Sequence, residues 1–128
     1  MKVAARLARE LREVEITLLN VGQIPPAALI SPSILGHVSL ASLEEALERE
    51  SRRVLHQGVE AFAGTDVPVT RLYRSGDPAG EILRAAREGK SDLVVIGARG
   101  LGRLGGLILG SVSVRVLHAA PCPVLVVR

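Results

Sequence analysis

The stretch Gly97–Ser113, GARGLGRLGGLILGSVS, follows the apolar run Asp92-Leu-Val-Val-Ile96 and leads into a segment of helical character. Gly97 ends the apolar run. Lacking a Cβ, Gly97 and Gly100 let the backbone turn with positive φ and approach a ligand closely. Nine residues separate Gly100 from Gly110-Ser111, from which Val112, Val114, Val116 and Leu117, with Ser113 and Arg115 between them, read as a short helix. The first amides of a helix have no partner inside it. Strand, glycine loop and helix start therefore compose an anion site, because unpaired N–H groups and the positive dipole end both favour phosphate. Ser111 and Ser113 add hydroxyl donors. The spacing is neither GxGxxG with an acidic residue about twenty positions on, nor a P-loop closing on Gly-Lys-Ser/Thr. Thirteen glycines must fall somewhere in the chain, so the loop by itself is a weak sign, and a surface loop without a ligand is the plain alternative.

Working outward, Val124–Arg128 reads as a last strand and Asp92–Ile96, the most uniformly apolar segment, as a central one. Before them, Asp77 is a good N-cap and Pro78 suits the first helical position. That helix has Ile82, Leu83 and Ala86 inward and ends at Gly89. Val67–Tyr73 reads as a strand, with Pro68 placing it at a sheet edge. Ser42-Leu-Glu-Glu45 has the form of a capping box. It opens a helix with Leu43, Leu47, Val54, Leu55, Val59 and Phe62 inward, closed by Gly64. Ile16–Val21 is a strand closed by Gly22. Residues 1–13 carry Val3, Leu7, Leu11 and Val14 at helical spacing, against Arg6, Arg9, Glu10 and Arg12. Between Gln23 and Ser39, Pro25, Pro26, Pro32 and Gly36 interrupt regular structure. The apolar residues there, Leu29, Ile30, Ile34 and Leu35, either cover a site or a neighbouring subunit, or belong to a plain surface excursion. Helix and strand alternate throughout, which predicts a single α/β domain over residues 1–128, built on a doubly wound parallel sheet with right-handed crossovers.

Composition narrows the function. With 128 residues and 48% hydrophobic content, the chain can bury a core without metals or disulfides. One Phe, one Tyr and no Trp argue against the aromatic platforms that stack single-stranded nucleic acid. The net charge of +3 is scattered, giving a modest bias toward anions. A lone Cys122 permits no disulfide within the chain, suits a reducing cytosol and reads as a small buried residue. No apolar run reaches membrane-spanning length, and the amphipathic N-terminus, with Glu10, Glu13 and Glu15, is not of signal-peptide type. His37, His56 and His118 share no ligand spacing, and a zinc site needs three or four convergent ligands. No general base, paired carboxylates or catalytic lysine stands near the loop, so the expectation is a binding protein with at most slow hydrolysis of a bound nucleotide.

The glycine spacing, followed by Ala120-Pro-Cys-Pro-Val-Leu-Val-Val-Arg128, resembles the nucleotide-binding branch of the universal stress protein family. The resemblance takes in the AARLAREL helix, the Ile16–Val21 strand, Gly76-Asp77-Pro78 and Asp92–Gly97. It implies a Rossmann-like sheet of the adenine nucleotide alpha hydrolase type, and binding of ATP or a related adenine nucleotide, with Mg2+ on the phosphates. It also implies a cytosolic homodimer joined through the C-terminal strand. Carried over by motif, Gly97, Arg99 and Gly100 line the nucleotide, Gly110, Ser111, Val112 and Ser113 surround its ribose and phosphates, and Val21 touches the adenine. Members of the family begin with a further, central strand whose terminal aspartate contacts the base, and this sequence opens after it. The expected consequences are a gap of one strand spacing, roughly 4.8 Å, or direct pairing of the Ile16 strand with the Asp92 strand. Weak binding with little preference for adenine over guanine should follow. The rival reading is a nucleotide-free dimeric module that docks protein partners in a stress response.

Overall fold

A computed structural model describes residues 1–24, 39–98 and 109–128. Its elements alternate as α1 (Lys2–Glu10), β1 (Ile16–Gly22), α2 (Leu40–Glu60), β2 (Val69–Ser75), α3 (Pro78–Glu88), β3 (Val94–Gly97), α4 (Ser111–Ala119) and β4 (Val124–Val127). Two compact units result, Met1–Gly76 and Asp77–Arg128. In each, two parallel strands form a ladder, β1 with β2 and β3 with β4. Residues 25–38 of the proline-broken excursion lie outside the described residues.

The first unit closes over Ala5, Ala8, Leu18, Leu55 and Phe62. Its α1 differs from the expected helix. It stops at Glu10, and Leu11 turns extended at its end. The buried stripe is Ala5 and Ala8, whereas Leu11 is exposed. Alanines leave the helix free to sit close against its neighbours, and the larger Val3 and Leu7 flank that contact half-buried. Helix α2 begins earlier than the capping box suggested, because Ser39, in extended conformation, accepts the Ser42 amide at 3.1 Å. Two serines three apart compete for one role, and the first takes it. The helix ends at Glu60 rather than Gly64, which follows in a turn at φ +76°. Its buried stripe runs Ser51, Leu55 and Gly58, and Phe62 continues it just past the helix end. Val54, expected inside, is 37% exposed, since it lies a hundred degrees round the helix from Leu55. Ladder pairing starts where the Ile16 amide donates to the Pro68 carbonyl at 2.9 Å and continues in register to Gly22 opposite Ser75. Strand β2 is therefore shifted two residues from the expected Val67–Tyr73. His56 is exposed, 3.7 Å from Glu60.

In the second unit, Asp77 caps α3 as the sequence suggested, its carboxylate accepting the Gly80 amide at 2.8 Å, with Pro78 in the first turn. Ala79, Leu83 and Val116 are buried together, with Ile82, Val94, Ile96, Val112 and Val124 packed round them. Strand β3 alternates more than its sequence implies. Val94 and Ile96 face this cluster, while Leu93 and Val95 are 40% and 39% exposed. The helices of the unit cover one face of its ladder, whereas a parallel strand of continuous apolar sequence suits cover on both. Cys122 is half-buried rather than fully enclosed.

Candidate functional site

Three hydrogen bonds tie the end of β3 to its neighbours, one to β4 and two to the start of α4. Ala98 donates its amide to the Val127 carbonyl at 2.7 Å, and its own carbonyl accepts the Gly110 amide at 2.7 Å. The glycine loop thus leaves and returns at one residue pair. Ser113, 2% exposed, donates its hydroxyl to the Gly97 carbonyl at 2.8 Å, which pins the first turn of α4 to the last residue of β3. Gly110 is the N-cap, extended at φ −65° and ψ 153°, and no side chain caps the helix. Its carbonyl accepts from the Val114 amide at 3.0 Å. The amides of Ser111, Val112 and Ser113 consequently have no acceptor within the helix. Helices α2 and α3, by contrast, carry side-chain caps at Ser39 and Asp77.

Of the residues marked in the sequence, Gly97, Gly110, Ser111, Val112 and Ser113 come together at this corner. They do so in different roles. The Ser111 side chain is exposed, and that of Val112 packs on the core, leaving only its amide for a ligand. Ser113, expected to offer its hydroxyl to phosphate, spends it on the Gly97 carbonyl, because its position on α4 turns it toward the end of β3. Arg99 and Gly100 lie outside the described residues. Val21 belongs to the first unit, next to last in β1, half-buried and in register with Arg74.

Two pairs escaped the sequence reading. Arg115 of α4 grips Asp77 with both terminal nitrogens, each at 2.8 Å from a different carboxylate oxygen. The Arg115 hydrogen bonds, and after them that of the Gly80 amide, hold the Asp77 carboxyl below its ordinary value of 3.8, and the pairing raises the Arg115 guanidinium. Within the first unit the buried Ser51 donates to the Asn20 side-chain oxygen at 2.7 Å. Neither pair has a local spacing that could announce it, since the partners stand 38 and 31 positions apart. An open depression of about 390 Å3, lined among others by Arg9, Glu13, Asp66 and Pro68, lies where β1 and β2 begin, not at the Val21 end. Ligand crevices of α/β sheets sit beyond the carboxyl ends of strands, so it is not assigned to the site. Among the described residues no group of three or more His, Cys, Asp or Glu could hold a metal, and no helix is long and apolar enough to cross a membrane.

Comparison with known proteins fits this geometry. Universal stress protein YxiE of Bacillus subtilis is 33% identical over 133 residues, covering 100% of this chain and 88% of its own length. Among solved structures, the universal stress protein UspA from Lactobacillus plantarum superposes with a TM-score of 0.81 at 26% identity, over 98% of this chain and 85% of that one. A universal stress protein from Archaeoglobus fulgidus, solved in complex with dAMP, gives 0.64 at 21% identity, over 99% and 83% respectively. At that identity the likeness is one of fold, a Rossmann-like arrangement of parallel strands and helices. Further structural neighbours were solved with AMP and with cAMP. The profile of the universal stress protein family matches residues 1–128, and the chain belongs to that family.

Proposed function

We propose that this chain is an adenine-nucleotide-binding protein of the universal stress response, folded as one domain of that family over residues 1–128 and at work in the cytosol. The observation that carries the reading is the uncapped start of α4. Three amides without helical acceptors stand beside the exposed Ser111 hydroxyl, on a turn fixed by the bonds from Gly110 to Ala98 and from Ser113 to Gly97. This donor set fits a phosphate chain, since glycine at the cap brings no side-chain acceptor to compete with an anion. The dAMP, AMP and cAMP held by structural neighbours support the adenine assignment. ATP would rest its phosphates on Ser111, Val112 and Ser113 amides, with Arg99 and Gly100 from the loop and Val21 against the base. Mg2+ would be held chiefly by the phosphates, as the described residues bring no carboxylate cluster to it. Strand β4 is half-buried along its length and pairs only with β3 among the described strands. Its free edge suits a second copy in a homodimer. Calorimetric titration of the full chain with ATP, with and without Mg2+, is the test. Saturable heat supports the reading, and a folded sample silent at millimolar nucleotide refutes it.

A further inference from the structure

Arg115 stands four residues beyond Ser111, about 6 Å further along the helix axis. Side chains of a helix lean toward its N-terminus, so the Arg115 guanidinium reaches back toward the end where the unpaired amides lie. What it meets there is Asp77. Helices α3 and α4 run side by side in the same direction. Asp77 at the start of α3 holds Arg115, while Arg87 near the end of α3 donates to the Ala119 carbonyl at 3.5 Å at the end of α4. The carboxylate of Asp77 and the open start of α4 therefore lie at one end of the helix pair.

The Asp77–Arg115 pair is well formed but exposed, with 52% and 57% of the two side chains open to water. Exposed pairs are screened and separate easily. Neither partner would be stranded by separation. Asp77 keeps the Gly80 amide, which its Oδ2 already accepts at 2.8 Å. Arg115 carries a planar fork that fits two oxygens of one phosphate as well as two of one carboxylate. A polyphosphate, with several negative charges against one, is the stronger competitor.

We infer that Asp77 and the terminal phosphates of the bound nucleotide compete for Arg115, so that Asp77 holds the guanidinium until a polyphosphate takes it over. The inference rests on the adenine-nucleotide reading of the same site and adds to it a preference for longer phosphate chains, with Asp77 as the residue that limits their affinity. Asn caps a helix as well as Asp, so Asp77→Asn removes the charge and keeps the cap.

The experiment titrates the full chain with ATP, adenosine and inorganic tripolyphosphate at low ionic strength, for wild type, Asp77→Asn, Arg115→Gln and the double variant, each verified as folded by its thermal melt. Asp77→Asn should bind ATP and tripolyphosphate about two- to fivefold more tightly. Arg115→Gln should bind both about tenfold more weakly and cancel the gain in the double variant. Adenosine, having no phosphate, should bind all four proteins alike. ATP bound equally by all four refutes the exchange and leaves the nucleotide reading standing. Tripolyphosphate bound with the expected ranking while ATP is refused refutes the adenine reading and keeps the exchange. Wild type binding neither ATP nor tripolyphosphate refutes both.

Discussion

The two serines of the first turn of α4 are chemically alike, and the structure assigns them opposite duties. Ser113 is buried, and its hydroxyl donates to the Gly97 carbonyl at 2.8 Å. Ser113→Ala removes that donor, while the carbonyl of the exposed Gly97 can turn to water. The net loss of such a bond costs about 0.5–1.5 kcal/mol. With a urea dependence of about 2 kcal/mol per molar, the unfolding midpoint should fall by roughly 0.25–0.75 M at unchanged slope. Ser111, by contrast, is exposed at the uncapped start of the helix. Ser111→Ala should leave the midpoint within about 0.5 kcal/mol of wild type and instead lower ATP affinity. Urea unfolding followed by circular dichroism, together with calorimetric titration of both variants, separates the two duties. A Ser113→Ala protein with the wild-type midpoint would refute the claim that this hydroxyl fastens α4 to β3.

Three further outcomes are expected. Ser39→Ala should cost about 1 kcal/mol and expose the first turn of α2 to faster amide exchange, whereas Ser42→Ala should not, because the cap sits at Ser39. Val116→Ala opens space at the largest fully buried side chain among the described residues, 0% exposed, and should cost about 2–3 kcal/mol in the same urea assay. Asp77, held below its ordinary value of 3.8, binds its proton less readily folded than unfolded. Its contribution to stability should be complete above pH about 4 and fade as pH falls through the lower folded value. The gap between wild type and Asp77→Asn in urea midpoints should accordingly close toward acid, and a gap constant down to pH 2 would contradict the pairing.

The order of elements was legible because each has its own periodic signature. Asp77-Pro78 and Gly89 bracket α3 within its observed limits, and the alternation of apolar positions from Val112 to Ala119 found α4. Which residue of an element points inward was less legible. Leu11 and Val54 have the chemistry of core residues and lie exposed, while Ser51, Gly58 and Ser113 are buried. Hydrophobic pattern ranks residues by transfer energy. A helix packed on a sheet also ranks them by size, and small residues win where backbones approach. Gly58 shows the point, as a Cβ there would meet Leu18 Cδ1 at 3.1 Å and Met1 Cε at 3.3 Å. Ser51 is tolerated inside because Asn20 accepts its proton.

The same distinction governs the candidate site. Gly110 is read from sequence as a residue that admits a ligand, and its φ of −65° shows that no left-handed conformation requires it. Its lack of a side chain matters for another reason. Serine at Ser39 and aspartate at Asp77 close the starts of α2 and α3 with an oxygen of their own, whereas α1, which starts after Met1, has no side-chain cap; any such oxygen at position 110 would occupy the amides that a phosphate needs. Substitution by a residue that fits the backbone therefore tests chemistry rather than strain. Gly110→Asp keeps an extended N-cap, supplies the carboxylate that this helix lacks, and should make the protein more stable by up to about 1 kcal/mol. It should at the same time abolish phosphate binding, by filling the site and by repelling the anion. Stability rising while ATP affinity is lost is the signature of a helix start left open for a ligand. Affinity retained in a stabilised Gly110→Asp protein would show that the phosphates rest elsewhere.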